Sequence, residues 1–154
     1  MIRIYKAKRI LEYIQKDGKV LHAFPISLGF SPIGDKTKEG DGKTPEGRYR
    51  IVTINLQSKF HISFGLSYPN GKDAKSARAK RILSPFVYAR ICLSSLLGLR
   101  PPWNTPLGGF IMIHGENPEG KTGDWTQGCI ALSNRDVDLL YSLVKKGEEV
   151  QIFA

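Results

Sequence analysis

Cysteine is scarce in this chain, with two residues, Cys92 and Cys129, among 154. No Cys-x-x-Cys or His-x-x-x-His pair is present, so the usual zinc spacings are missing. His114, Glu116 and Cys129 are the residues from which such a site would have to be built, and they fall short of the four ligands of structural zinc. No metal or organic cofactor is therefore expected. The chain also lacks internal repeats, low-complexity tracts and any apolar run of about 20 residues, the length of a membrane span. A secretory leader needs a basic start and then about 7–15 uninterrupted apolar residues. Met1 to Ile14 instead mixes charge with short apolar alternation. The expectation is either a cytoplasmic chain or one that begins after a removed leader. Acidic residues are also few: 14 against 23 Lys and Arg, a formal net charge of +9. That excess favours anionic partners through long-range attraction. The basic residues are scattered and no nucleic-acid-binding motif accompanies them, so nucleic acid is not the expected partner.

What is present fits one globular domain over residues 1–154. Hydrophobic residues make up 41% and charged residues 24%, ordinary for a folded chain. The first half reads as β. Ile2 and Ile4 alternate with Arg3 and Tyr5, and Lys16-Asp17-Gly18-Lys19 is a hairpin turn between two apolar runs. Gly29 to Gly47 is dense in glycine and charge and reads as loop. Strands are expected over Arg48–Asn55 and His61–Ser67, with a turn at Tyr68-Pro69-Asn70-Gly71.

Two helices are predicted. Ser84-Pro85 is an N-cap and first-turn pair that opens Pro85–Leu97, and Gly98 ends it. Its many apolar residues point to burial against the domain, with a lid or surface-docking role as the alternative. Cys92 on this helix reads as a core residue. Ser133 and Asp136 resemble a capping box opening Arg135–Lys146, with Val137, Leu140, Tyr141 and Val144 on one face. Phe110 to Ile113 reads as a buried strand leading into His114, and Glu149 to Phe153 as a last strand. The fold class is mainly β, with mixed sheets or a sandwich and two helices.

The chemistry concentrates at Cys129. A thiol is a useful nucleophile when an imidazole can take its proton. His114 closes an apolar strand fifteen residues earlier, with a loop between them long enough to double back. Gly128 leaves room for a carbonyl beside Cys129 and lets backbone N–H groups turn toward a developing oxyanion. A buried structural cysteine and a satisfied core histidine explain the same two residues in isolation. His22 and His61 read as structural.

The wider pattern decides between these. Ile113-His114-Gly115, followed by Asp124-Trp125-Thr126-Gln127-Gly128-Cys129-Ile130-Ala131-Leu132-Ser133, resembles the signature of the L,D-transpeptidase (YkuD) family. Asp41-Gly42-Lys43-Thr44-Pro45-Glu46-Gly47, Ser67-Tyr68-Pro69-Asn70 with Asp73, and Thr105-Pro106-Leu107-Gly108-Gly109 match in the same order. The resemblance implies an L,D-transpeptidase fold and an enzyme acting on peptidoglycan stem peptides, hence a cell-envelope or periplasmic location. It implies Cys129 as nucleophile, His114 as base and the Gly115 carbonyl as the group fixing the imidazole. It also implies that Thr126 and the backbone of Gly128 and Cys129 shape an oxyanion hole. An amine acceptor yields a cross-link and water yields trimming; a wall-binding module without catalysis is a further alternative. Two positions depart from the best-known members: Gln127 stands where they have His, and Ala131 where they have Arg. Arg135, Lys121 or another basic residue is expected to take over that Arg's task. The Gly40–Gly47 loop has two readings, a pair of tight turns or a direct substrate contact.

Overall fold

The computed structural model describes residues 1–154. Eight strands form one curled mixed sheet in the order β3-β2-β1-β8-β4-β5-β6-β7. In chain order these are β1 Ile2–Tyr5, β2 Ile10–Ile14, β3 Val20–Pro25, β4 Gly47–Ser58, β5 His61–Leu66, β6 Met112–His114, β7 Ile130–Ala131 and β8 Glu149–Phe153. The β1–β8 and β6–β7 pairs are parallel and the remainder antiparallel.

The long strand β4 makes the curl. Its first four residues, Gly47 to Arg50, pair with β8, and from Ile51 onward it pairs with β5 through two register irregularities. Such irregularities bend a strand and increase its twist. The sheet turns so far that Ser27, just past edge strand β3, bridges Ala131 on the opposite edge strand β7, and Gly29 bridges Thr126. The core inside includes Ile2, Ile4, Leu11, Ile51, Phe64, Leu66, Ile113, Ile130, Val150 and Ile152. Alternation in the short strands supplies it: Ile2 and Ile4 point inward while Arg3 and Tyr5 remain partly exposed.

Three helices cover the sheet, one more than the sequence suggests. The added helix, α1 (Gly71–Ala79), begins where Tyr68 to Gly71 reads as a turn. Asn70 is its N-cap, accepting from the N–H groups of Lys72 and Asp73, while the Asp73 carboxylate accepts from Asn70 N–H. That reciprocal box is what the sequence reading placed at Ser133. At Ser133 only one half forms: its hydroxyl accepts from Asp136 N–H. Burial pushes the Asp73 carboxyl up to about 6, against the Asn70 N–H and Lys72, which favour its charge.

Helix α3 covers Asn134–Leu143 and ends before Lys145 and Lys146. Val144 takes an extended backbone, remains buried, and Gly147 N–H then donates to Ile51 O, drawing the chain onto β4. Helix α2 (Pro85–Leu96) starts at the Ser84 cap as expected, but the expected burial holds for one face only. Ile91 is its one buried residue, with Val87, Tyr88 and Cys92 partly buried against the core. Phe86, Leu93, Leu96 and Leu97 face outward. The expected buried strand at Phe110 fails. Phe110 has φ +53 and is exposed, because Gly109 lies against the Trp103 backbone and the ladder begins only at Met112.

Candidate active site

Cys129 lies between Gly128 and strand β7, and His114 is the last residue of β6. The parallel pairing of these strands puts Ile113 beside Ile130 and His114 beside Ala131. Both residues line the same two clefts, of about 390 Å³ and 600 Å³. The strand pairing thus brings the two sequence-predicted groups to one place, although fifteen residues separate them.

His114 is buried and rigidly oriented. Its Nδ1 lies 2.8 Å from the Gly115 carbonyl oxygen. A carbonyl can only accept, so Nδ1 carries the proton and Nε2 presents a lone pair. Phe60 stacks on the imidazole at 4.4 Å and Trp125 meets it edge-on at 5.7 Å. Gly115 is itself pinned, its N–H donating to Phe60 O, and a Cβ there would strike Asn134 Oδ1 at 2.3 Å. Burial lowers the imidazole's affinity for a second proton, the Gly115 carbonyl opposes this, and the charge of Lys59 adds to the lowering. Near neutral pH the ring is uncharged and able to accept a proton.

The Cys129 thiol is half-buried, and its Sγ lies 3.4 Å from the Phe110 carbonyl oxygen, the resting acceptor for the S–H. Withdrawal from water raises its pKa, while a Met112 backbone hydrogen bond and the charges of Lys36 and Lys59 pull the other way. The resting pair is therefore a neutral thiol and a neutral imidazole. A thiol in that state becomes nucleophilic only once a base takes its proton.

Thr126 organises the loop. Its buried hydroxyl donates to Cys129 O at 2.7 Å and accepts from Gly128 N–H at 3.1 Å. The Gly128 N–H is thus spent within the loop, whereas the Cys129 N–H makes no backbone bond there. Gly128 has φ +123, and a Cβ there would come within 2.5 Å of Lys43 O. Both the backbone conformation and the close approach call for glycine. Asp124 holds the start of the loop, accepting from Leu28 N–H and from Arg9.

The Gly40–Gly47 loop has a structural account. Asp41 accepts from the N–H groups of Thr37, Lys38 and Lys43 and from buried Lys36 Nζ at 2.8 Å. These bonds outweigh the desolvation of the Asp41 carboxyl and leave its pKa lowered. Buried Lys6 donates to Gly34 O, Thr44 O and Glu46. Thr44 accepts from Gly29 N–H, and Gly29 packs against Gly42 O and Gly128. The loop is the bed on which the Cys129 segment rests.

Sequence reasoning passed over Phe60, Lys59, Arg100, Trp103 and Phe110. Trp103 and Phe110 pack at 4.9 Å and wall the larger cleft, and Arg100 lies over Trp103 at 5.1 Å. Lys59 lies over Phe60 at 4.8 Å and borders both clefts. Of the basic residues proposed to replace the missing Arg, Lys121 lines the smaller cleft and is paired with Glu119, whereas Arg135 lines neither cleft. Ala131 is buried and spends its N–H and C=O on Ser27. Glu116, the third residue considered for zinc, accepts from Asn134 N–H at the start of α3. His61 pairs with Asp138 at 2.7 Å.

Comparison with known proteins agrees with this fold. The L,D-transpeptidase catalytic domain family, YkuD, matches residues 1–152. YafK of Escherichia coli strain K12, provisionally assigned as an L,D-transpeptidase, is 23% identical over 148 residues, covering 93% of this chain and 46% of that protein. The helical cell shape determining protein Pgp2 of Campylobacter jejuni superposes with a TM-score of 0.68 at 26% identity, over 98% of this chain and 46% of its own. L,D-transpeptidase 1 of Mycobacterium tuberculosis shares the fold at 13% identity, with a TM-score of 0.51, over 99% of this chain and 60% of its own. The chain spans about half the length of YafK and Pgp2. Strand order, the His114-Gly115 and Thr126-Gln127-Gly128-Cys129 segments, and a family match across almost every residue lead to one conclusion: the chain belongs to the YkuD family of L,D-transpeptidase catalytic domains.

Proposed function

We propose that residues 1–154 act as one catalytic domain, a cysteine acyltransferase working on peptidoglycan stem peptides in the cell envelope. The supporting observation is the tautomer of His114, whose Nδ1 proton is held by Gly115 O while Nε2 is left basic in the clefts it shares with Cys129. Cys129 Sγ attacks the carbonyl of the diaminopimelate residue as its proton passes to His114 Nε2. The tetrahedral oxyanion is held by the Cys129 N–H, with Thr126 fixing that segment. Collapse breaks the peptide bond. The leaving D-alanine amine takes the proton from His114, and a thioester remains on Cys129. An acceptor amine then attacks the thioester, gives its proton to His114, and restores the thiol.

Two clefts meeting at Cys129 suit a reaction with a donor and an acceptor. The stem peptide carries carboxylates, and Lys59, bordering both clefts without a carboxylate partner, is the residue we assign to hold one in place of the Arg missing at Ala131.

The test is mass spectrometry of the protein incubated with a disaccharide tetrapeptide, comparing wild type with Cys129→Ala and His114→Ala. An acyl adduct absent in Cys129→Ala and strongly slowed in His114→Ala is the expected result. No adduct on a thiol shown to be reduced would remove the acyltransferase reading and favour a wall-binding module. Product analysis separates the acceptors, since cross-linked dimers mean transfer to an amine and shortened monomers mean hydrolysis.

A further inference from the structure

The outward side of α2 has no role in the chemistry above and is unusually apolar. Phe86, Leu93, Leu96 and Leu97 recur at helical spacing, and Leu99 follows the Gly98 turn. All five are exposed, Phe86 by 70% and Leu96 by 82%. Ile91, Val87 and Tyr88 occupy the inward side, so the core does not claim the outer stripe. So many large apolar side chains exposed along one short helix mark a contact surface.

Charge around the ridge identifies what it contacts. No Asp or Glu occurs from Ala74 to Gly115. The same stretch carries Lys75, Arg78, Lys80, Arg81, Arg90 and Arg100, all exposed and none in an ion pair. Helix α1, which carries Lys75 and Arg78, packs against α2, and on α2 itself Arg90 Cζ lies 5.7 Å from the Phe86 ring centroid. A second feature lies at the C-terminal end of α2. A cleft of about 470 Å³ there is lined by Ser94, Ser95 and Leu99 together with Arg48, Arg50 and Lys72; Glu149 is its acidic member. Lys72 is paired with Asp35 and Asp73, which leaves Arg48 and Arg50 as its cations without a carboxylate.

A second copy of this chain is a poor occupant, because a symmetric contact would set the same unpaired cations against one another. An acyl-chain boundary under anionic headgroups meets both requirements at once. We propose that the α1–α2 face docks on an anionic phospholipid bilayer, with the Phe86–Leu99 ridge entering the headgroup boundary and the surrounding cations, Arg48 and Arg50 included, meeting headgroup phosphates. The helix lies on the surface; no helix of the protein is long and apolar enough to cross a membrane. Arg100 flanks both this face and the larger cleft at Cys129, so docking would hold that cleft near the bilayer. The inference is independent of the catalytic reading.

Flotation of the intact chain with vesicles tests it. Binding is expected to equimolar phosphatidylglycerol and phosphatidylcholine, to weaken as salt rises, and to be absent from phosphatidylcholine alone. The triple variant Phe86→Ser, Leu93→Ser, Leu96→Ser should lose at least about tenfold in partitioning with an unchanged circular dichroism spectrum. Arg78→Ala with Arg90→Ala should lose about 25-fold, at roughly fivefold per cation near the surface. Lys145→Ala with Lys146→Ala removes the same charge beyond α3 and should leave binding as it was. The proposal is overturned if wild type ignores the anionic vesicles, if the triple variant binds like wild type, or if the Lys145 and Lys146 changes weaken binding as much as the arginine pair. It is overturned equally by a dimer in light scattering that the triple variant abolishes while wild type shows no vesicle binding.

Discussion

The segment around Cys129 and helix α2 are opposites in how their surroundings use them. Around Cys129 the neighbours are fixed: Thr126 ties Gly128 to Cys129, Asp124 ties the segment to Leu28 and Arg9, and Gly128 lies against Lys43. On α2 one residue, Ile91, is fully buried and the outer stripe of Phe86, Leu93, Leu96 and Leu97 stays exposed. Where polar groups are withdrawn from water, each needs a partner, so the sequence there is tightly constrained. Where side chains face solvent, folding makes no such demand and another contact can set the sequence.

The sharpest way to break the first region is Asp41→Ala. It removes the acceptor of three backbone N–H groups and strands Lys36, whose side chain is 3% exposed, so a loss of about 3–5 kcal/mol is expected from breaking a buried pair. Urea unfolding would measure it, and a change within the noise would mean the loop does not need its anchor. Within α2, Ile91→Ala should cost about 2–4 kcal/mol as a buried large-to-small change. Leu96→Ser, on the outer stripe of the same helix, should stay within about 0.5 kcal/mol. Equal costs for the two would refute the assignment of faces.

Thr126→Val retains the shape but leaves the Gly128 N–H and Cys129 C=O without a side-chain partner, a cost of about 2 kcal/mol. Acylation should slow by more than stability alone explains, and Thr126→Ser should recover most of the rate. The smallest effect is in pH. His114 in the folded chain binds its second proton below the ordinary 6.5, so the unfolded chain protonates first as pH falls. Its contribution is intact above pH 6.5 and is lost as pH falls through the lower folded value. The acid limb of the acylation profile should likewise have its midpoint below 6.5, and a midpoint above it would contradict a buried neutral imidazole.

Most strands were legible in the sequence because alternation and turn residues act locally. The Asp17-Gly18 hairpin, the β1 alternation and the closing strand Glu149–Phe153 all appear where expected. Helix α1 was not, because its capping residues Asn70 and Asp73 follow a proline and a tyrosine that read as a turn, and its few apolar positions are alanines. The candidate site was legible as Cys129, His114 and Gly115. Phe60, Lys59, Arg100 and Trp103 were not, since an aromatic or a cation scattered along a chain gives no local signal of what it will stand beside.

The sequence by itself determined the family, the mainly β composition and the two groups at the centre of the proposed chemistry, because these rest on short motifs and on period-two and helical spacing. Tertiary structure alone decided that the Gly40–Gly47 loop is the bed under Gly128, and that Thr126 spends the Gly128 N–H. It also decided that α2 turns its apolar residues outward. Each of these depends on close approach or exposure, which arises only when β4 bends and the sheet brings Ser27 and Ala131 together.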